Sequence, residues 1–484
     1  MSLSKRLVVC FASGVVCLLA SPVFADDATK SASLASRDAD DPASQPVSPL
    51  MVSPLPAEAP PPMESPPPPP PRLTNSFGDF NVLHQDHFRL ELGGMAQLTG
   101  EGEYVKDPYK YDVRAYLFLA EARLRTTAHY DDFKLNIELA LGGEASVAAP
   151  NPGVSLSLLD FNLDIPLPFL GKSYIKVGQS KVPYGRENLT YSGFQQFAGR
   201  SIDYQGFVVG RDVGASVNLQ NRFSALTAGI YTGGGRDVPQ EFIPEKLGLP
   251  LLVVRATLGN VDDDLYVLKQ NDLDGDSPKA AISINGLVTK DSLIGHSTVL
   301  NVKLADKSLV LNPDWNPYIA QAPFSQGVWF QTGIDGALRV PITKDLRLSG
   351  EFELNYSQFT NDHGAVRLFG ARIQGGLVYK RFELAARYAM LLPDTKFAYQ
   401  GQGVTGSALI HEITPAISYY LYGHMLKLVA DLPIQLQSPV FVEPKVGSYV
   451  AMQLPNQATV LGIPGGTVSR ETVVMARLML EAQF

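Results

Sequence analysis

The sequence predicts an all-β protein, a transmembrane antiparallel β-barrel of about 16 strands with a Pro-rich N-terminal arm. Three observations carry this. The chain opens with the layout of an export signal, both of its cysteines fall inside that signal, and from about Phe80 onward apolar and polar residues alternate repeatedly.

Lys5 and Arg6 give a positive start, Leu7 to Ala20 an apolar stretch, and Ser21-Pro22-Val23-Phe24-Ala25 a Val-x-Ala cleavage pattern before Asp26 and Asp27. That three-part layout predicts a secretory signal peptide over residues 1–25 and Sec-type export. The apolar stretch is short for a permanent bilayer span, and no later run approaches the roughly 18 apolar residues of a transmembrane helix. A lipoprotein signal is not expected, because Val16 rather than a small residue precedes Cys17. Removing Cys10 and Cys17 leaves the mature chain without cysteine, so its stability cannot rest on disulfides. A closed barrel supplies another route, since it leaves no strand edge unpaired. The formal charge of −8 becomes about −10 once Lys5 and Arg6 are lost, which argues against nucleic acid as a partner.

Residues 26–75 run from a Ser/Ala/Asp-rich stretch into the proline run Pro66 to Pro71. Such a composition forms no packed core and favours extended polyproline geometry, so the segment reads as a disordered periplasmic linker. A grip on the cell wall is the alternative use of such an arm, although no motif marks it. The barrel is expected over 76–484.

Alternation is clearest at the C-terminus, where Val474, Ala476, Leu478, Leu480, Ala482 and Phe484 interleave with Arg477, Glu481 and Gln483. It recurs in Phe133 to Leu139, in Arg347 to Tyr356 and in Arg381 to Met390. A period of two places one set in lipid and the other in a wet interior. A soluble core would not accept Arg123, Arg125, Glu351, Glu353 and Arg387 pointing inward. Short turns such as 129–132, 220–222, 343–345, 379–381 and 422–424 alternate with longer Gly/Pro-rich connections, the asymmetry of periplasmic turns and outer loops.

Counting on that basis places strands near 88–98, 113–128, 132–141, 155–165, 172–180, 208–219, 222–231, 250–259, 279–289, 327–340, 345–357, 366–379, 381–391, 409–421, 424–433 and 471–484. Val299 to Leu304 would break the even parity and is assigned to a long outer loop from about Lys290 to Gln326.

Enzyme signatures are absent: there is no Gly-x-Ser-x-Gly elbow and no phosphate-binding loop, and His411-Glu412 is followed by Ile413-Thr414-Pro415. Neither catalytic residues nor a cofactor nor a resident metal is expected. Asp272-x-Asp274-Gly275-Asp276 hints at calcium, but the twelve-residue ligand pattern is incomplete and an Asp/Gly turn is the simpler reading.

The informative stretch is Gly178-Gln179-Ser180-Lys181-Val182-Pro183-Tyr184-Gly185, followed by Leu189-Thr190, Arg200-Ser201 and Arg211-Asp212-Val213-Gly214. This series resembles the phosphate-selective porin O and P family, which carries Gly-Gln-x-Lys-x-Pro-x-Gly, then Leu-Thr, Arg-Ser and Arg-x-x-Gly. Arg123 to Leu139 and the terminal Arg-Leu-x-Leu-x-x-x-Phe fit the same family. The resemblance spans about 80–484, is strong around 177–214 and 409–432, and is thin between them.

It implies a sixteen-stranded trimeric porin of the Gram-negative outer membrane, surrounded by lipid, whose third outer loop folds into the lumen. Here that loop would be about Val182 to Val209. A loop in the pore replaces bulk water with fixed charges and donors and so sets selectivity. The expected constriction and anion-binding residues are Lys181, Arg186, Arg200 and Arg211, with Arg123 and Arg125 on the facing wall. The alternative is that Arg186, Arg200 and Arg211 pair with Glu187, Asp203 and Asp212 and only hold the loop in place. Phe484, closing an alternating last strand, is the expected signal for barrel-assembly machinery. The family's phosphate specificity relies on an arginine ladder. The inward-facing positions here carry roughly thirteen basic and twelve acidic residues by the alternation rule, without such a ladder. The expected function is passive diffusion of small polar solutes or anions, phosphate among them. The rival is a structural or adhesive barrel with a plugged lumen. Gly178, Gly214 and Gly376 on inner faces are expected to leave the lumen open.

Overall fold

A computed structural model describes residues 80–106, 111–143, 156–233, 235, 248–261, 268–271, 273, 275–290, 327–361, 364–399, 402–407, 409–443, 447–450 and 467–484. The expected signal peptide, the Pro-rich linker, the candidate strand 299–304, Asp272 and Asp274 lie outside the described residues.

In chain order the strands are β1 (Phe80–Gln85), β2 (Phe88–Lys106), β3 (Tyr111–Tyr130), β4 (Phe133–Gly143), β5 (Ser157–Pro166), β6 (Tyr174–Lys181) and β7 (Arg211–Gln220). Next come β8 (Ser224–Tyr231), β9 (Leu249–Gly259), β10 (Lys279–Lys290), β11 (Val328–Pro341), β12 (Leu346–Asn361), β13 (Gly364–Tyr379) and β14 (Phe382–Tyr399). The last are β15 (Gln402–Ser407), β16 (Ile410–Tyr420), β17 (Leu426–Asp431), β18 (Ile434–Glu443), β19 (Gly447–Val450) and β20 (Thr467–Gln483).

From β2 to β14 each strand pairs antiparallel with the next. Both β15 and β16 pair with β14, so they form one wall position, as do β17 and β18 between β16 and β20. Pro433, which cannot donate to a ladder, marks the break between β17 and β18. The ladder closes from β20 to β2, with Met95 opposite Gln483 and Val105 opposite Val473. The wall therefore has sixteen positions, and β1 and β19 are short additions paired to β2 and β18. Every predicted strand falls on a wall position.

Side chains obey the alternation. On β12, Ser349, Glu351, Glu353, Asn355 and Ser357 are buried inside the barrel, whereas Leu348, Phe352 and Leu354 are exposed on its outer face. No helix among the described residues is long and apolar enough to cross a membrane, and the apolar outer belt is carried by strands. The two-residue turns are built tightly, with Asp131 and Lys380 in the left-handed region at φ 50° and 55°. The end of the barrel that holds these turns and Phe484 is the periplasmic end of bacterial barrels.

The β20–β2 seam is finished by the C-terminus itself. Phe484 N donates to Gly94 O (3.0 Å) and accepts in return at its own carbonyl from Gly94 N (2.8 Å). Its ring centroid lies 6.0 Å from that of Phe80 and lies so close to Gly94 that an added Cβ there would stand 2.7 Å from the ring. Deleting Phe484 removes these contacts along with the terminal aromatic group, and Gly94→Val displaces the ring. Both variants should give little heat-modifiable barrel in outer-membrane fractions. Normal yield of the Phe484 deletion would show that closure does not need the terminal residue.

Candidate functional site

The connection between β6 and β7, residues 182–210, turns into the barrel and packs on its inner wall. It contains a short helix, α1 (Arg186–Leu189), and a second, α2 (Ile202–Phe207), capped by the Ser201 hydroxyl accepting from Tyr204 N (3.1 Å). Its attachment has an apolar and a charged part.

The apolar part lies toward the outer end. Val182, Tyr184, Ile202, Phe207 and Val209 pack with inward-facing Leu251, Val253, Trp329, Phe359, Leu368 and Leu391. These wall residues break the rule that inward positions are polar, and the loop is what covers them. Fully burying each such side chain is worth about 1.5–3 kcal/mol before chain ordering is counted. Glycine on the wall permits the close approach: a Cβ at Gly370 would stand 2.0 Å from Asp203 Oδ1 and 2.3 Å from the Phe207 ring. Gly376 is covered likewise, with Glu383 Oε1 and Gln196 Nε2 at 2.3 and 2.4 Å from such an atom. At Gly214 it would meet Ile230 O at 2.3 Å, and at Gly178 Phe161 O at 2.2 Å. At Gly376 the loop covers the wall, whereas Gly178 and Gly214 meet only neighbouring strands and stand on β6 and β7.

The charged part lies below it. Glu353 accepts from the first backbone amides of α1, Arg186 N (3.1 Å) and Glu187 N (3.0 Å), where helical N–H groups lack internal partners. Lys181 Nζ donates to the carbonyls of Asn188 (2.9 Å), Leu189 (3.3 Å) and Thr190 (3.0 Å) at the other end of the helix. Arg186 Nε donates to Glu351 (2.9 Å), which also accepts from Arg339 (2.7 Å). Arg372 is fully buried and lies 3.3 Å from Glu187, 3.4 Å from Glu351 and 3.1 Å from Glu353. Arg387 joins Glu412 (2.9 Å) and approaches Glu187 at 3.8 Å. At the loop tip, Gln196 Nε2 donates to Ser349 (2.7 Å) and Glu383 (2.6 Å), while Lys427 donates to the carbonyls of Gly193 (3.0 Å) and Gln195 (2.8 Å).

Each sequence-predicted site residue now has a place. Lys181 and Arg186 serve the loop as described. Arg200 donates to the Glu187 carbonyl and to Thr190 O (3.1 Å), and stacks on Tyr204 at 4.4 Å. Arg211 binds Asp160 through two bonds (2.9 and 3.1 Å) and Glu138 (3.0 Å). Arg123 lies 2.8 Å from Glu121 and 3.4 Å from Glu138, and donates to Ser192 (3.3 Å). Arg125 is half-buried, its guanidinium 5.0 Å from the Tyr191 ring centre. The pairing expected for Arg186, Arg200 and Arg211 has different partners from those anticipated. Asp203 instead accepts from Asn355 (3.0 Å), and Asp212 accepts from Val213 N (2.7 Å) and Gly233 N (2.7 Å).

The loop lies mainly against β11–β17 and leaves the opposite side less filled. There a cavity of about 350 Å³ runs against β3–β10. Seven basic residues line it: Arg125, Lys134, Lys176 and Arg255 on the wall, with Lys181, Arg186 and Arg211 at the loop. Only Glu138 and Asp160 line it with negative charge. The near-balance of inward charge read from the sequence therefore does not describe this space. The balance is local, with Glu121, Glu351, Glu353, Glu383 and Asp431 bonded to the loop. Lys134 and Lys176 were not singled out by the sequence. They sit in one register row, Lys134–Asp164–Lys176, across β4, β5 and β6. Among the described residues no cluster of His, Cys, Asp and Glu is arranged to hold a metal ion.

The family model of phosphate-selective porin O and P matches residues 121–242, the segment that builds the facing wall and the in-folded loop. Over this quarter of its length the chain is similar to that porin family. No curated relative matches this sequence. Among solved structures it is similar to the anion-selective porin from Comamonas acidovorans, at 13% identity and a TM-score of 0.50, covering 82% of this chain and 100% of that one. It is also similar to the outer membrane channel DcaP of Acinetobacter baumannii, at 11% identity, TM-score 0.44, covering 84% and 99%. The trimer form of OmpT of Vibrio cholerae matches at 10% identity, TM-score 0.46, covering 82% and 100%. At these identities the likeness is one of fold.

Removing one partner from a buried ion cluster leaves the others uncompensated, at a cost of roughly 3–5 kcal/mol. Arg372→Met should therefore loosen the loop while the barrel persists. Chymotrypsin cleavage at Phe194 and Phe197, both buried in the parent, should rise at least tenfold. Unchanged cleavage in a heat-modifiable barrel would mean the cluster does not hold the loop.

Acid should act on the same attachment through Glu187. Burial alone would push its carboxyl up, but the guanidinium groups of Arg372, Arg387 and Arg200 and the Ser201 hydroxyl outweigh it and hold it below the ordinary glutamate value. A lowered folded value gives stability that is complete above the ordinary value of about 4.3 and is lost as pH falls through the lowered one. Loop opening, read by amide hydrogen exchange corrected for its intrinsic pH dependence, should stay flat between about pH 8 and 5 and rise only in stronger acid. Glu187→Gln should already show the raised rate at neutral pH.

Proposed function

We propose that this barrel is a porin, a passive, anion-preferring channel for small polar solutes, with phosphate among them, and that conduction follows the β3–β10 side of the lumen. The observation that carries the reading is the cavity lining of seven basic against two acidic residues in a protein of formal charge −8. Several of these cations have carboxylate partners: Arg255 holds Asp335 (2.7 and 2.8 Å) and Lys176 holds Asp164 (3.0 Å). The lining thus supplies donors at the cavity surface, part of whose charge is neutralised by Asp335 and Asp164. In a narrow space of lowered dielectric such charges act more strongly than in water. The volume is of the size that holds a small molecule rather than a polymer.

In the same reading Lys181, Arg186, Arg200, Arg211, Arg123 and Arg125 shape the constriction, most of them by fixing the loop and its facing wall. The protein works as a homotrimer, as the family resemblance implies, without cofactor or covalent chemistry. Residues 1–25 direct Sec-type export, 26–75 form a periplasmic linker that reaches toward the cell wall, and Phe484 is read by the barrel-assembly machinery.

Planar-bilayer recording with a salt gradient tests this. The parent channel should show a reversal potential on the anion side. The double variant Arg125→Gln and Lys134→Gln should move it toward cations, most strongly at low salt where screening is weakest. No conductance at all from folded protein would favour the plugged structural barrel. Conductance whose selectivity ignores both substitutions would place the conducting path elsewhere.

A further inference from the structure

At the periplasmic end the barrel's other connections are short: residues 131–132, 167–173, 221–223, 342–345, 380–381 and 421–425. The connection between β9 and β10, residues 260–278, is not. Its described part turns upward into the lumen and meets the constriction loop from beneath. Gln270 and Asn271 are 1% and 0% exposed, which an ordinary surface turn would not show.

The contacts are directed at the loop tip. Gln270 N donates to Phe194 O (3.1 Å), and Gln270 Oε1 accepts from Gln196 N (2.8 Å). Asn271 Nδ2 donates to Glu383 Oε2 (2.8 Å), the wall carboxylate that also accepts from Gln196. Lys269 Nζ lies 5.2 Å from the Phe194 ring centre, and its carbonyl accepts from Arg339. Phe194 also meets the His424 ring edge-on at 5.3 Å. The residue leading into this cluster, Leu268, is held at φ 68°, a conformation that costs a bulky side chain energy and persists only where its surroundings impose it. Leu268 lines the same cavity as the basic residues of the wall.

We propose that the described residues 268–271 of this connection are a second pore-shaping element, set on the periplasmic side of the constriction loop. Gln270 and Asn271 are positioning residues for the tip of the constriction loop, and Leu268 is an apolar sill beside the conducting space. The proposal rests on the reading of that cavity as the conducting path. The porin then has two constricting elements, one from each end, meeting at Phe194 and Gln196. A solute leaving the basic cavity passes the sill, so a charge placed there must be felt by permeating ions.

The test compares three purified channels in planar bilayers: the parent, Leu268→Glu, and the double variant Gln270→Ala with Asn271→Ala. Leu268→Glu should move the reversal potential toward cations and about halve the conductance at low salt, with the effect shrinking as salt rises. The double variant should keep the sign of selectivity but show at least a severalfold increase in brief closures, because the loop tip loses its support. Since the mature chain has no cysteine, Leu268→Cys offers a second route that leaves the fold undisturbed until labelling. Reaction with a negatively charged thiol reagent should reproduce the Leu268→Glu shift, and a positively charged reagent should oppose it. A parent channel that conducts with anion preference while Leu268→Glu and both labelled cysteines match it would overturn the sill. Parent-like gating of the double variant would overturn the positioning role. A parent that does not conduct at all would instead overturn the underlying channel reading.

Discussion

Arg372 is where the in-folded loop and the barrel wall become one structure. Its guanidinium is wholly buried and meets Glu187 of the loop together with Glu351 and Glu353 of β12. A buried cation is tolerated only when its charge and its donors are met, and a buried carboxylate has the same requirement. The wall meets part of it, with Arg339 and Arg372 beside Glu351 and Glu353, and the loop adds Arg186 and the first amides of α1. Without the wall, the first amides of α1 and the Glu187 carboxylate would lack their partners. Docking is the arrangement that answers both.

The consequence is an asymmetric lumen. On the β11–β17 side acidic wall residues are matched to loop amides and guanidinium groups, above a patch of inward apolar side chains that the loop covers. On the β3–β10 side the loop contributes Arg186, and the strand ends beside it Lys181 and Arg211, to a cavity whose charged lining is mostly cationic. A protein with a net negative charge can therefore present a positive path, because what matters in a narrow lumen is which charges remain at its surface.

Much of the fold was legible from alternation. The period of two in Arg347 to Tyr356 or at the C-terminus follows directly from lipid on one side and polar surroundings on the other, and it recovers every wall position. The in-folded segment was marked by residues such as Gly185 and Arg200-Ser201, whose roles are now physical: Gly185 has φ 68° before α1, and Ser201 caps α2. Other features were illegible. Trp329, Phe359 and Leu391 are inward and apolar, against the pattern, because their neighbour is a loop distant in sequence rather than water. The cationic surface of the cavity could not be read from a tally of inward charges, since the tally does not say which wall the loop covers. Gln270 and Asn271 carry no sequence signal beyond sitting in a long connection, and only their burial shows that this connection enters the barrel.

Which wall receives the loop follows from how each wall satisfies its own polar groups. Along β4–β10 the inward amides and hydroxyls serve one another across strands. Asn136 donates to Asn162 (3.1 Å), Thr227 to Asn218 (2.9 Å) and Asn218 to Ser216 (3.1 Å), while Thr257 and Ser283 share a bond at 3.0 Å. Lys176 joins the same chain at Asn162 (3.1 Å). Such a surface is complete with water over it and gains little from a loop. Along β12–β14 the inward residues include Glu351, Glu353 and Glu383, acceptors that cannot serve one another because all three are anionic. Glu383 takes its donors from Gln196, Asn271 and the Tyr420 hydroxyl. The first wall largely satisfies itself. The second, whose carboxylates are met only in part by its own Arg339, Arg372 and Arg387, collects the elements that bring further donors to it, one entering from each end of the barrel.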